Sequence, residues 1–204
     1  MCNLYKMTAT VDELRRLFGG FEGDTANLAP FDEIYPGKAA PVLRRSETGA
    51  LRLETMTWGF PAPAAAKGCP VTNVRNLDSP FWRLALGNLE RRCIVPVTRF
   101  CEWSTAPDPV TKRKVKHCFG MHEAHDPLFA FAGLWRLDAT DGIDGPFMAF
   151  VTCDANATVG EIHPKAMPVM LRPADALGWL THDRDTACAL AIPFPDADMV
   201  RLEQ

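Results

Sequence analysis

The chain has 204 residues, 47% of them hydrophobic, with a formal net charge of -3 and a pI of about 5.9. This size and composition suit a single domain with a sizeable core. The overall charge excludes a protein whose whole surface attracts a polyanion, so any nucleic-acid surface must be a local patch. No stretch approaches the roughly 20 apolar residues that span a bilayer, and the N-terminus lacks the pattern of a signal peptide. We therefore expect a cytoplasmic protein with no membrane partner.

The first predicted helix spans residues 11–18. Thr10 and Glu13 have the spacing of a capping box, which satisfies the first backbone amides of a helix. Four apolar residues then recur at helical spacing: Val11, Leu14, Leu17 and Phe18. A cluster of glycines ends the helix, and residues 27–37 follow as an extended, turn-rich segment that we expect to form the wall of a cleft.

The middle of the chain is predicted to consist mainly of strands. Six segments are rich in β-branched, aromatic and alternating residues and are separated by turn residues: 40–44, 51–58, 93–103, 115–121, 128–135 and 147–152. Pro173 marks the start of a late helix over 174–180, with Trp179 on its apolar face. Residues 183–190 favour another helix. No internal repeat or long linker divides the chain.

The cysteines do not have the spacing of a structural framework. The seven are scattered along the chain with no CxxC pair: Cys2, Cys69, Cys93, Cys101, Cys118, Cys153 and Cys188. This pattern favours neither a disulfide framework nor a zinc ribbon, and we expect most of them to be buried apolar fillers. His117, His122 and His125, with Cys118, match no common zinc spacing. We predict no metal and no cofactor, and a solvated hairpin at the basic run 112–116.

Cys2 directly follows the initiator methionine, and a small side chain at this position generally permits removal of Met1. Removal leaves an α-amine and a thiol on one residue. An α-amine with a pKa of roughly 7.7–8.0 is partly neutral, and therefore nucleophilic, at physiological pH, and a thiolate is a stronger nucleophile than a thiol. The amine forms a Schiff base with an aldehyde, and the sulfur then closes a five-membered thiazolidine ring. The alternative is a frayed terminal residue with no function.

Two arginines are candidates for binding nucleic acid. Arg75 lies in the segment 72–76, and Arg83 ends a segment, 79–83, that is rich in aromatic and basic side chains. Arginine beside aromatic rings suits single-stranded nucleic acid, because guanidinium groups bind phosphates and rings stack on bases. The alternative is that both arginines are solvated or paired with acidic residues.

Glu102 and His163 are candidates for proton transfer. Glu102 is predicted at the end of an otherwise apolar strand, where partial burial raises the pKa of a carboxyl group and suits it to acid–base work. His163 lies between an apolar residue and a proline, and an imidazole titrates near neutral pH. The alternatives are a solvated glutamate at the rim of the sheet and a loop histidine held by a backbone carbonyl.

Seven short motifs, taken in order, resemble the SRAP family, whose name stands for SOS response-associated peptidase. The ordered set covers the chain from residue 2 to about 190: Met1-Cys2-Asn3, Asn27-Leu28-Ala29-Pro30, Trp58-Gly59-Phe60-Pro61, Asn73-Val74-Arg75, Phe100-Cys101-Glu102-Trp103, Thr152 with Asn156, and Ile162-His163-Pro164-Lys165-Ala166-Met167-Pro168. Family members protect abasic sites in single-stranded DNA. The elements and the resemblance together predict an α+β fold: one domain over residues 1–204, with a mainly antiparallel, barrel-like β core flanked by a few short helices.

The resemblance implies covalent chemistry at Cys2. Cys2 would form a thiazolidine with the ring-opened sugar of an abasic site, and Asn73 would lie beside that site. His163 and Glu102 match the acid–base pair of the family, with His163 protonating the sugar oxygen and Glu102 managing protons at the α-amine. The implied activity is DNA–protein crosslinking with lyase-like chemistry.

The resemblance also implies how DNA is held. Arg75 would bind backbone phosphate, and a second phosphate-binding arginine is expected at or next to Arg83. The implied partner is single-stranded DNA with abasic sites, bound by a monomer associated with the nucleoid.

Three positions depart from the common pattern of the family: Asn3 replaces a glycine, Asn76-Leu77-Asp78 replaces a stretch with a glutamate, and Pro63–Ala66 lacks aromatic residues. Two other functions remain open. One is an N-terminal-nucleophile cysteine peptidase, including one that removes Met1 or a short leader from itself, with Cys2 attacking an amide and His163 as base. The other is a non-catalytic module that binds single-stranded DNA. Trapping with borohydride separates these functions, because it captures only a protein that forms a Schiff base.

Overall fold

The computed structural model describes residues 2–23, 30–62, 68–122, 127–140 and 143–202. The predictions for Met1, for Asn27-Leu28-Ala29, for Pro63–Ala66 and for His125 lie outside these ranges. The strands in chain order are β1 (Leu4–Met7), β2 (Phe21–Glu22), β3 (Phe31–Ile34), β4 (Ala39–Arg45), β5 (Leu51–Trp58), β6 (Asn73–Val74), β7 (Arg92–Val97), β8 (Arg99–Pro107), β9 (Lys114–Met121), β10 (Phe129–Thr140), β11 (Ile143–Cys153), β12 (Met167–Pro168), β13 (Met170–Leu171) and β14 (Met199–Leu202). The helices are α1 (Val11–Phe18), α2 (Pro80–Gly87), α3 (Ala157–Gly160), α4 (Pro173–Thr181) and α5 (Arg184–Ala189).

Five strands form a closed barrel in the order β11, β10, β7, β4 and β5. The first four pairings around the ring are antiparallel. The ring closes where β5 pairs with β11 in parallel, with Thr57 opposite Phe147. All residues of β7 are buried, and α4 packs against this strand. The predicted α+β fold with a barrel-like, mainly antiparallel core is therefore confirmed.

A second, antiparallel sheet packs beside the barrel in the order β14, β9, β8, β1 and β3. Tyr5 of β1 connects the two sheets, because its ring lies edge-on against three aromatic residues of the barrel. The centroid distances are 5.3 Å to Trp58, 5.9 Å to Phe131 and 6.3 Å to Phe150. Such edge-to-face contacts are favourable, since the positive ring edge meets the negative ring face. The residues that precede Tyr5 are therefore held at the junction of the two sheets.

Local signals in the sequence predict the positions of most helices and strands. Helix α1 begins and ends where the capping box and the glycines predict, with Thr10 and Glu13 making both capping contacts. The predicted strand 93–103 is wrong as one element, because the chain forms β7 and β8 with a break at Thr98. The Thr98 hydroxyl there donates to the Lys6 carbonyl at 3.1 Å, which ties the break to β1.

Helix α2 was not predicted, although Ser79 caps its N-terminus and Pro80 occupies its first turn. Both residues are strong signals for the start of a helix.

A disulfide between Cys101 and Cys118 was also not predicted. The two cysteines lie directly opposite each other on β8 and β9, a relationship that only the strand register creates. The expectation of buried apolar cysteines is correct for Cys2, Cys93 and Cys153, whereas Cys69 is exposed.

Arg92 is a fully buried charge that joins two helices to the barrel. Its guanidinium donates to the carbonyl of Leu86 in α2, to that of Trp179 in α4 and to that of His182 just after α4, at 2.5–3.1 Å. It also lies 5.7 Å from the centre of the Trp179 ring. These carbonyl groups lie at the C-terminal ends of helices, where they have no hydrogen-bond donor within their own helix. Arg92 therefore fixes α2 and α4 relative to β7.

No helix within the described ranges has the length and apolar composition needed to cross a bilayer.

Candidate active site

Cys2 and Glu102 lie together where β1 pairs with β8. Leu4 is opposite Cys101 in this antiparallel pair, so the chain before Leu4 runs alongside Glu102. The Cys2 thiol donates to the Leu4 carbonyl at 3.4 Å, and its sulfur lies 4.0 Å from the carbonyl oxygen of Cys101. The Cys2 and Glu102 side chains are each only 2% exposed. A thiol and a carboxyl group thus share one site from which water is largely excluded.

The electrostatics of this pair suit proton transfer. Burial raises the pKa of the Cys2 thiol well above its ordinary value, and the charge of Glu102 raises it further. Burial also raises the pKa of Glu102 to about 7. The Oε1 atom of Glu102 receives no hydrogen bond from the described residues. A carboxyl group that titrates near neutral pH both accepts and returns a proton under physiological conditions.

His163 is placed by a short capped helix. The Asn156 side chain accepts the Val159 amide at 2.9 Å and thereby caps α3, and the Val159 carbonyl accepts the His163 amide at 2.8 Å. The His163 Nδ1 atom lies 3.0 Å from the Ala166 carbonyl oxygen. In the neutral ring this carbonyl favours a proton on Nδ1, so Nε2 is the atom that gains and loses the second proton. Burial lowers the pKa of His163.

Asn73 lies on a short strand at the edge of the barrel. Strand β6 pairs in parallel with β11, with Asn73 opposite Phe150. Its amide donates to the Thr72 hydroxyl at 2.8 Å, while its buried Oδ1 receives no hydrogen bond from the described residues. The Thr72 carbonyl accepts the indole N–H of Trp58 at 3.0 Å, and Trp58 packs on Tyr5. Asn73 is therefore linked to the strand of Cys2 through Trp58 and Tyr5.

The two candidate phosphate-binding arginines lie on the surface, Arg75 just after β6 and Arg83 on α2. Arg75 forms an ion pair with Asp154, whose side chain is 82% exposed, so the pair contributes little to stability. Arg83 is exposed on α2, whose residues Trp82 and Leu86 face the core. The alternative of an arginine paired with an acidic residue thus applies to Arg75, but the pair is open to solvent.

Comparison with known proteins identifies the family of this chain. The model of the family described as SOS response associated peptidase (SRAP) matches residues 1–203. The chain belongs to the SRAP family. Its membership supports a function in the response to DNA damage. No curated protein matches this SRAP chain significantly.

Three solved structures share the fold of this SRAP protein. A protein from Bacteroides thetaiotaomicron has a TM-score of 0.77 and 20% identity, with coverage of 98% of this chain and 90% of that one. A protein from Bordetella bronchiseptica has a TM-score of 0.75 and 19% identity over 100% of both chains. A phage-related protein from the same organism has a TM-score of 0.72 and 21% identity over 100% of this chain and 95% of that one.

The structure decides between the two interpretations of Glu102 in this SRAP protein. Glu102 is not a solvated residue at a strand end, because it lies within β8 and is covered by the residues around Cys2. Burial at this position depends on β1, which is about a hundred residues earlier in the chain. The spacing of Arg99–Trp103 alone does not reveal this neighbour.

Three residues that matter to the site were not singled out from the sequence. Tyr5 is fully buried, and its pKa is raised first by burial and then by the neighbouring Cys2. Thr105 on β8 donates to the carbonyl of Ile162 at 3.0 Å. Asp154 pairs with Arg75. The partners of Thr105 and Asp154 are distant in sequence, so no local signal identifies these two residues. Among the described residues, no group of three His, Cys, Asp or Glu side chains is arranged to hold a metal ion.

Proposed function

We propose that this SRAP protein binds single-stranded DNA with abasic sites and forms a covalent thiazolidine crosslink through Cys2, after removal of Met1, and so shields the lesion. The observation that carries the proposal is the pairing of a buried N-terminal-region thiol with a buried carboxyl group whose pKa is raised to about 7. Thiazolidine formation requires a proton acceptor and donor beside one residue that carries both nucleophiles. Glu102 is suitably placed beside Cys2 for this role.

The proposed reaction has three steps and needs no oxidant or cofactor. First, the closed sugar opens to its aldehyde: the bond between the anomeric carbon and the ring oxygen breaks, His163 gives a proton to the ring oxygen, and the anomeric hydroxyl loses its proton to solvent. Next, the α-amine attacks the aldehyde carbon, and the oxygen leaves as water, which gives an imine. Finally, the Cys2 sulfur adds to the imine carbon, and the thiol proton passes to the nitrogen. Glu102 carries protons between these atoms, a role for which a pKa near 7 is well matched.

The remaining residues would hold the DNA. The buried Oδ1 of Asn73 has capacity for a hydrogen bond that a hydroxyl of the opened sugar can fill. Arg75 would exchange its exposed partner Asp154 for a phosphate, because a guanidinium binds phosphate with two parallel hydrogen bonds. Arg83 would contact a neighbouring phosphate from α2. Such contacts fix the position of the strand and carry no sequence information.

Intact mass spectrometry after incubation with an abasic oligonucleotide tests the proposal. We expect protein without Met1 and one adduct per chain that survives heating. Cys2→Ala should lose the heat-stable adduct but keep an imine that borohydride traps, because the new N-terminal residue still carries an amine. Cys69→Ala, which removes an exposed thiol, is the matched control and should crosslink normally. Active protein that retains Met1, or the absence of any trapped adduct, would contradict the mechanism.

Cysteine peptidase activity is a second candidate, since the family description names a peptidase. A cysteine peptidase needs a thiolate at neutral pH, whereas burial and Glu102 raise the pKa of the Cys2 thiol. This environment favours amine chemistry over attack by a thiolate. The peptidase proposal is tested by the mass of the expressed Glu102→Gln variant. Retention of Met1 in that variant alone, with normal removal in the wild type, would support self-processing.

A further inference from the structure

A groove beside α2 combines apolar side chains with positive charge. Its volume is about 360 Å³, and its floor includes Phe60, Trp82 and Leu134. Three large apolar side chains at its rim are unusually exposed: Phe81 by 52%, Leu84 by 84% and Leu137 by 67%. Solvent-exposed apolar residues that cluster around a concave surface are typical of a protein interaction site.

The charged residues that line this groove are both arginines within the described part of the chain. Arg91 lies 5.6 Å from the centre of the Trp135 ring, and Arg136 lies 4.9 Å from that of Phe60. Stacking on these rings holds each guanidinium at the groove wall. The groove therefore offers an apolar surface bordered by two positive charges.

Trp135 and Leu137 also line a second cavity of about 610 Å³. Arg44 lies there 4.5 Å from the centre of the Trp135 ring and forms an ion pair with Glu54 at 2.8 Å. The indole N–H of Trp135 is buried and meets no acceptor among the described residues. The two cavities therefore meet at Trp135 and Leu137.

This surface lies on the opposite side of α2 from the proposed DNA site. Residues of an α-helix are about 100° apart around its axis, so Phe81, Leu84 and Ala85 share one face. These three residues line the groove. Arg83 lies on the face turned away from it, on the same helix. The groove and the phosphate contact proposed for Arg83 therefore lie on different faces of α2.

We infer that this groove docks an acidic peptide segment of a partner protein, whose carboxylates contact Arg91 and Arg136 and whose apolar side chains pack on Phe81, Leu84 and Leu137. The exposed aliphatic side chains at the rim favour a peptide over nucleic acid, because bases stack on aromatic rings and arginine planes rather than on leucine. Apolar anchors with a charged rim are the usual anatomy of a peptide-binding groove.

Fluorescence anisotropy with a labelled peptide of four aspartates followed by leucine and phenylalanine tests this inference. We expect binding with a Kd of about 1–100 µM. Leu84→Asp and Arg91→Glu should each weaken binding by about tenfold or more. Arg113→Glu, on the exposed hairpin after β8, makes the same charge change elsewhere and should leave Kd unchanged. A peptide in which lysines replace the aspartates should not bind.

Four results would overturn the inference. If the wild type does not bind the acidic peptide, the groove is not a peptide site. The same conclusion follows if Leu84→Asp and Arg91→Glu bind the peptide with the Kd of the wild type. A labelled oligothymidine that loses affinity through Leu84→Asp and Arg91→Glu would instead assign the groove to DNA. Sedimentation that shows a dimer dissociated by Leu84→Asp would assign it to a second copy of this chain. Crosslinking to abasic DNA serves as an independent check that each variant is folded.

Discussion

The Thr105 hydroxyl on β8 donates a hydrogen bond to the carbonyl oxygen of Ile162, the residue before His163, at 3.0 Å. Thr105 is three residues beyond Glu102 on the same strand. This single bond links the strand that carries the carboxyl group to the turn that carries the imidazole. The two candidate acid–base groups are therefore positioned partly by an exposed threonine that contacts neither of them in the described hydrogen-bond network.

Thr105→Val should slow crosslinking by about two- to tenfold, which corresponds to the loss of one hydrogen bond. Thr105→Ser keeps the hydroxyl and should restore the rate. The measurement is the rate of adduct formation from pH 5 to 9 with a defined abasic oligonucleotide. Equal rates of adduct formation for Thr105→Val and the wild type would mean that this hydrogen bond does not position His163.

His163→Ala should slow crosslinking by about 10²–10⁴-fold, the usual contribution of a general acid or base. Burial lowers the pKa of His163, so the protonated form that donates to the sugar oxygen is lost as pH rises through a value below 6.5. The deficit of the variant should therefore be largest at acidic pH and shrink toward pH 9. Affinity for undamaged single strands should barely change. His122→Ala, an exposed histidine just after β9, is the control, and a wild-type rate for His163→Ala at every pH would remove His163 from the mechanism.

Glu102→Gln should increase the stability of the protein at alkaline pH. Burial raises the pKa of Glu102 from 4.5 to about 7, so the folded state loses stability relative to the unfolded state as pH rises through this interval. Glutamine has nearly the same shape and does not ionise. We expect the variant to have a free energy of unfolding about 1–3 kcal/mol higher at pH 8 and equal to that of the wild type at pH 4. Urea unfolding at both values measures the difference, and a variant less stable at pH 8 would contradict the assigned shift.

Arg75→Ala should weaken binding of single-stranded DNA with or without the lesion, and the deficit should shrink at high salt because phosphate contacts release counterions. Its partner provides a matched comparison. Asp154→Ala removes the competing carboxylate and should strengthen binding slightly. Anisotropy titrations at two salt concentrations distinguish these effects. A loss of folding in Arg75→Ala without a separate binding defect would make its role structural.

Arg92→Leu should destabilise the protein by about 3 kcal/mol or more, because it leaves the carbonyls of Leu86, Trp179 and His182 buried without donors. Arg113→Leu, on the exposed hairpin after β8, is the surface control and should change stability by less than about 0.5 kcal/mol. Urea unfolding monitored by tryptophan fluorescence provides both values. A small effect of Arg92→Leu would show that water or other donors replace the guanidinium.

Local patterns in the sequence predict the helices and strands whose defining contacts lie within a few residues. The capping box at Thr10 defines α1, and the alternation of residues 51–58 defines β5. The burial of Glu102, the ion pair of Arg75 and the Cys101–Cys118 disulfide all depend on which strands become neighbours. Periodicity reports which face of a strand is apolar, but it does not report the partner strand. The chemistry of single residues indicates Cys2, Glu102 and His163 as candidates, and the family resemblance adds Asn73. Only the fold shows that Cys2 and Glu102 are neighbours.

The parallel pairing of β5 with β11 has a consequence for the order of folding. Thr57 meets Phe147 about ninety residues later in the chain, and closing such a loop costs conformational entropy that no local contact returns. Asn73 pairs with the same β11. Asn73 therefore reaches its place against β11 only when the last third of the chain is synthesised, whereas Cys2 and Glu102 come together through the earlier pair β1 and β8. In the proposed mechanism the site would therefore be complete only when the barrel closes, and an incomplete chain would lack the hydrogen-bond acceptor that Asn73 contributes.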